Sequence, residues 1–255
     1  MNRFIVIFLS MALLTACGTP SENSHSYKSA KVHTELAGLY YQRGQFGIAL
    51  DELTQALSAD SEYAPAYNVR ALVHMALREN KDAETDFRHS LSLDNSNSDT
   101  HNNYGWFLCQ QDRAKEAIPQ FMEAIKNPLY TTPGLAYLNA GLCSRKAGNN
   151  KDAEFFLQKS LQVQPDSTQT LFALADFNYA NGRYYTAKKY FADLAQKSDN
   201  LTADQLWLGI RINRKIGKIR INRKIGDHNT ASSYATQLRN RFPDATQTQM
   251  LINGK

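Results

Sequence analysis

Glycine and proline are scarce in this chain, at 13 and 7 of 255 residues. Sheets built from many short strands need more breakers than that. The turn signals that do occur come at helical-hairpin spacing, so an all-α fold with almost no sheet is expected. Catalytic motifs are missing as well. There is no H-E-x-x-H, C-x-x-C or G-x-S-x-G, no P-loop and no dinucleotide fingerprint. The six histidines are scattered without ligand spacing, which argues against a metal centre. Carboxylate pairs such as Asp51-Glu52 take ordinary solvated positions. No catalytic residue, metal or cofactor is expected, and an enzyme is disfavoured.

Long apolar runs are limited to one. Residues 4–14 follow Arg3 and lead into Leu14-Thr15-Ala16-Cys17. A basic start, a short apolar core and small residues before a cut describe a secretory signal peptide over 1–16. The core is too short for a transmembrane helix. Leu-Thr-Ala-Cys resembles the bacterial lipobox. That resemblance implies cleavage before Cys17 and a diacylglycerol on its thiol. Gly18, rather than Asp, follows it, which implies sorting to the outer membrane, facing the periplasm. Residues 17–28 are polar and serine-rich and read as a flexible tether. The alternative is a plain signal peptide with an incidental cysteine.

Charge of one sign is nearly balanced once a single feature is set aside. The chain sums to +5 at pH 7, but residues 210–218 (IRINRKIGK) recur almost unchanged at 219–227 (IRINRKIGD). One copy holds Arg211, Arg214, Lys215 and Lys218. Without those four cations and Arg3 of the leader the formal charge is zero. The basicity therefore comes from a duplication and is not spread over a binding face. A solvated helix extension is the plainer reading, and an exported protein meets no nucleic acid in ordinary service. Periodicity leaves open whether a helix runs on past Gly217 or one copy loops out.

What the chain does have is a repeat. Ala49, Ala83 and Ala117 fall 34 residues apart, Ala153 comes 36 later and Ala187 another 34 later. Ala37, Ala71, Gly105, Gly141, Ala175 and Gly209 keep one phase. Leu53, Phe87, Phe121, Leu157 and Phe191 keep another. Small, small and bulky positions at a period of ~34 form the tetratricopeptide (TPR) signature, a helix-turn-helix unit that stacks on its neighbours. An all-α TPR solenoid, a right-handed superhelix of about six repeats, is expected over 29–255. The units lie near 29–60, 64–95, 99–127, 134–165, 167–198 and 202–243, the last holding the duplication.

Within this frame Leu36, Leu39 and Tyr40 are expected to face Phe46, Leu50 and Leu53. In repeat two Asn80 is placed where other units have a turn glycine. A two-proline connector, 127–133, precedes repeat four and reads as a linker or a bend. The aromatics of repeat five, Phe172, Phe177, Tyr179, Tyr184, Tyr185, Tyr190 and Phe191, read as packing. The stretch 244–255 reads as a cap or a fraying end.

Cysteine is rare, with only Cys109 and Cys143 besides Cys17. Both fall near the ends of first helices in adjacent repeats, where two thiols can meet in an oxidising compartment. Their repeat positions differ by about two residues, so a bridge and two buried, unpaired thiols both stay open. Stacked first helices line the inner surface of such an array, where a partner's peptide or helix can lie. From the repeat phase the partner-binding candidates are Tyr41, Asn68, Leu72, Met75, Asn102, Trp106 and Gln110. Trp106 is the best single anchor, with inter-repeat packing as its other reading.

The third repeat adds a further resemblance. His101-Asn102-Asn103-Tyr104-Gly105-Trp106-Phe107-Leu108-Cys109 resembles the N-N-Y-G-x-F-L-C stretch of the PilF/PilW family of type IV pilus biogenesis lipoproteins. Ala117, Phe121, Ala124 and Pro128 continue it, as does Tyr137-Leu138-Asn139-Ala140-Gly141-Leu142-Cys143. The resemblance implies a pilotin, an outer-membrane lipoprotein that helps the pilus secretin reach that membrane and multimerise. It also implies a Cys109–Cys143 disulfide. The partners expected are the secretin, as protein, and the membrane through the lipid anchor; the chain itself is expected to be monomeric. The duplication departs from the family pattern and puts the packing of the last repeat in question. The other reading is an envelope TPR lipoprotein that organises cell-wall enzymes or outer-membrane protein assembly.

Overall fold

The computed structural model describes residues 24–222 and 229–254, and every regular element among them is an α-helix. The helices fall into two compact units, divided after Leu93. The division lies in the polar run Asp94-Asn95-Ser96-Asn97, not at the two-proline connector. The lipobox, Cys17 and residues 223–228, which include the end of the second duplicated copy, lie outside the described residues.

The first unit holds α1 (His25–Gln42), α2 (Phe46–Ala59), α3 (Ala64–Ala76) and α4 (Asn80–Leu93). The helix begins at His25, inside the stretch read as tether, because Ser24 caps it. The Ser24 hydroxyl accepts from the Tyr27 amide at 3.1 Å. Tyr27 then packs edge-on against Tyr63. The core is Ala30, Ala37, Ala49, Leu53, Ala56, Tyr63, Ala66 and Val73, with Tyr40, Phe46 and Leu50 packed against it. Leu36 and Leu39 do not face α2 as expected. They are 37% and 51% exposed, while Ala30, Thr34 and Ala37 take the buried face. The close approach of the two helices admits only small side chains there.

The second unit holds α5 (Ser98–Gln110), α6 (Ala114–Lys126), α7 (Pro133–Lys146), α8 (Asn150–Val163), α9 (Thr168–Ala180), α10 (Tyr184–Lys197), α11 (Ala203–Asn222), α12 (Asn229–Arg241) and α13 (Thr246–Ile252). The phased small residues work as the repeat requires. A methyl on Gly105 would meet Phe121 at 2.8 Å, one on Gly141 would meet Leu157 at 2.8 Å, and one on Gly209 would meet Phe191 at 2.6 Å. Helices α5 and α7 thus seat on the bulky residue of the second helix in their own repeat, and α11 seats on that of α10 in the repeat before it.

A serine repeats this logic with a hydrogen bond. Ser90 donates to the Ala64 carbonyl at 2.9 Å in the first unit, and Ser160 donates to the Gly134 carbonyl at 2.8 Å in the second. Both serines are fully buried, so these bonds tie the end of a second helix to the start of a first one.

The turn inside each of the first five repeats uses one left-handed residue, two positions before the second helix. Glycine fills it at Gly44, Gly148 and Gly182, while Arg78 (φ 64°) and Asp112 (φ 59°) fill it elsewhere. In repeat two the residue is therefore Arg78, not Asn80, which opens α4. A side chain there costs about 1–2 kcal/mol. Helix register sets the position, and residue preference does not.

In repeat five Phe177 and Phe191 are buried and Phe172, Tyr179, Tyr184 and Tyr190 pack beside the core, but Tyr185 is 57% exposed. In the connector Tyr130 is tucked against Ala124 and Ala136, while Leu129 stands in solvent. Helix α11 continues past Gly217 to Asn222. Its first duplicated copy is not a solvated extension: Ile210, Ile212 and Ile216 are core residues. The final stretch caps the unit, with Thr248 and Leu251 of α13 buried.

Candidate protein-binding site

The candidate residues divide between the two units. In the first, Tyr41 lies in the last turn of α1, and Asn68, Leu72 and Met75 lie on α3 at i, i+4 and i+7, one face of the helix. Asn68 is buried, whereas Tyr41, Leu72 and Met75 are half-buried. Tyr41 rests against Phe46, ring centroids 6.0 Å apart, so part of its surface already serves packing. On the same α3, Arg70 makes two hydrogen bonds to the buried Asp86 carboxylate, each 2.7 Å. That bond raises the already high pKa of the guanidinium. His74, Glu79 and Asp82 offer ligand atoms within 4.8 Å of one another. Glu79 already bonds the His74 ring at 2.6 Å, which is an exposed ion-pair network rather than a built cage.

In the second unit, Asn102, Trp106 and Gln110 occupy successive turns of α5. Trp106 is half-buried and Gln110 exposed. Asn102 is buried because its carbonyl accepts from the Asn139 amide of α7 at 3.0 Å. Cys109 and Cys143 are joined in a disulfide, with Cα atoms 5.7 Å apart. The thiols meet across their two-residue offset in repeat position. Lys146 adds a third tie: its ammonium donates to the Cys109 carbonyl at 3.0 Å and pairs with Asp112 at 2.9 Å. Asparagine pair, disulfide and lysine lock α5 to α7 beside Trp106.

Two further contacts join first helices, and neither was singled out in the sequence. Arg145 of α7 pairs with Asp176 of α9 at 2.8 Å. The Arg211 guanidinium lies 4.3 Å over the Tyr179 ring, joining α11 to α9. The signal was available. Met75, Cys109, Arg145 and Tyr179 all stand four residues after the phased small position, and carrying the phase along all six repeats finds them.

Shifted titrating groups do not converge on a reaction centre. Burial, with the neighbouring Tyr27 and acids Glu35 and Asp60, pushes the Tyr63 phenol up to about 12. Burial also raises Tyr130 and Tyr234. Tyr63, Tyr130 and Tyr234 are packing residues of separate clusters. Cavities of about 310, 220 and 140 Å³ lie at loop ends, the smallest beside the disulfide. What the first helices present instead is half-buried aromatic and aliphatic surface beside amides and a cation–carboxylate pair. Such a face grips a peptide or helix by apolar anchors and a few directed polar bonds.

Comparison with known proteins agrees with this geometry. A tetratricopeptide-repeat family profile matches residues 64–97 and 135–167. The type IV pilus assembly protein PilF of Pseudomonas aeruginosa is 30% identical over 254 residues, covering 97% of this chain and 96% of that protein. The crystal structure of PilW, a widely conserved type IV pilus biogenesis factor, superposes with a TM-score of 0.77 at 32% identity, over 88% of this chain and 98% of PilW. The P. aeruginosa PilF structure superposes with a TM-score of 0.74 at 29% identity, over 91% of this chain and all of that one. No described helix is long and apolar enough to cross a membrane. The chain belongs to the PilF/PilW family of tetratricopeptide-repeat proteins of type IV pilus biogenesis.

Proposed function

We propose that this protein is a pilotin: a lipid-anchored scaffold that binds the pilus secretin, carries it to the outer membrane and promotes its multimerisation, without catalysing a reaction. The observation that carries the reading is Trp106. It is a large aromatic left partly exposed on a helix that a disulfide, an asparagine pair and a lysine hold in place. A preorganised aromatic is the kind of residue that dominates binding energy when it fills a partner's pocket. Tyr41, Leu72 and Met75 supply apolar contacts of the same kind in the first unit. Family membership supports the pilus context, and the lipobox supports the anchor at Cys17.

The test separates anchor from grip. Deletion of the gene should abolish secretin multimers on unheated gels. Trp106→Ala should lower multimer yield several-fold while leaving helicity unchanged by circular dichroism; normal ring formation in that variant removes Trp106 from the site. Cys17→Ala should leave the helical fold intact and shift the protein out of outer-membrane fractions. Retention there would reject the lipid anchor.

A further inference from the structure

Helix α1 is amphipathic in reverse. The face turned to the core carries small residues, Ala30, Thr34 and Ala37. The large aliphatics point away: Val32 is 54% exposed, Leu36 37% and Leu39 51%. At about 100° per residue the three fall within an arc of roughly 60°, opposite the buried face. Lys28 and Arg43, both exposed, lie at the two ends of this stripe. Glu35 flanks the stripe and is offset by Lys31, 4.0 Å away. A scattered exposed leucine needs no explanation, but a contiguous stripe with cations at its ends does.

The length of chain before α1 indicates what covers it. Cys17 lies seven residues before the N-cap Ser24. Seven residues span at most about 25 Å. A lipid on Cys17 therefore holds α1 at the bilayer surface. A second copy is a poorer occupant. Two facing stripes of three side chains would bury a few hundred Å², well short of the roughly 1,000 Å² of a stable protein interface. A tethered helix needs far less, because the anchor has already met the cost of bringing it to the membrane.

We propose that α1 lies flat on the phospholipid surface, with Val32, Leu36 and Leu39 in the headgroup–acyl boundary and Lys28 and Arg43 against headgroup phosphates. The inference rests on the reading of Cys17 as the lipidated residue. It makes the first repeat a second membrane contact, which fixes the orientation of the scaffold as well as its location.

Photocrosslinking of the full-length protein tests it. Leu36→p-benzoylphenylalanine and, separately, Leu39→p-benzoylphenylalanine are compared with the same probe at the exposed Thr85 of α4, in vesicles of phosphatidylethanolamine and phosphatidylglycerol. Both α1 probes should form phospholipid adducts, seen as a mass increment, at least fivefold more than Thr85. Equal yields at all three sites would overturn the proposal. So would crosslinks to a second copy or another protein in place of lipid. The intact mass of the same sample reports acylation at Cys17. An unacylated chain with adducts at Leu36 rejects the anchor and keeps the surface contact. An acylated chain without them rejects the surface contact and keeps the anchor.

Discussion

At the residue scale, one methyl group separates a seated helix pair from a clash. Gly141 illustrates it: an added Cβ would lie 2.8 Å from the Leu157 side chain and 3.1 Å from its backbone nitrogen. Helix propensity favours alanine by about 1 kcal/mol. Overpacking against an atom that cannot swing aside costs more, about 1–3 kcal/mol. Gly141→Ala should therefore destabilise the fold by about 1–2 kcal/mol, read as a lower urea midpoint. Gly38, inside α1, has no such neighbour within 4 Å, so Gly38→Ala should stabilise the fold by about 0.5–1 kcal/mol, read as a higher urea midpoint. The two glycines occupy neighbouring offsets of the repeat pattern, in repeats one and four. Their opposite signs follow from what each one faces, and only the three-dimensional arrangement shows that for Gly38.

At the element scale, α5 and α7 are held together more heavily than other first-helix pairs. The disulfide closes a loop of 34 residues, which in the chain-entropy model stabilises by about 3–4 kcal/mol. Cys143→Ser should lower the unfolding free energy by about that amount, measured by denaturant titration without reductant. The helix that the disulfide secures, α5, buries polar groups, His101 and Asn102, alongside its apolar ones. His101 is bonded on both ring nitrogens, to Gln120 at 2.7 Å and to the Asn95 carbonyl at 3.0 Å. Loosening the helix would expose such groups to imperfect pairing. The pairing of Cys109 with Cys143 was not decided by spacing. The intervening connector shifts the repeat by two residues, and only its path shows that the thiols meet.

At the scale of the whole molecule, the described residues form two compact units, each with buried clusters of its own. Disruption of the disulfide therefore belongs to the second unit. Native-state hydrogen exchange of Cys143→Ser should show lost protection across α5 to α8 and unchanged protection in α1 to α3. A uniform loss across the chain would contradict it. The duplication acts at this scale too. It lengthens α11 to 20 residues and places the isoleucines of its first copy in the core. Helical period alone did not assign them, because the second copy carries an identical pattern.

The repeat, the all-α class, the turn spacing and the small-against-bulky pairing are written in the chain, because each arises from contacts a fixed number of residues apart. The family resemblance lies in the same local signal, in Asn102 to Cys109. Tertiary structure decided what depends on which neighbour is present. It turned Leu36 and Leu39 outward, gave the left-handed turn to Arg78, joined the thiols and paired Arg145 with Asp176. In a stacked array the phase of a residue follows from sequence, but whether its face is covered depends on the helix beside it.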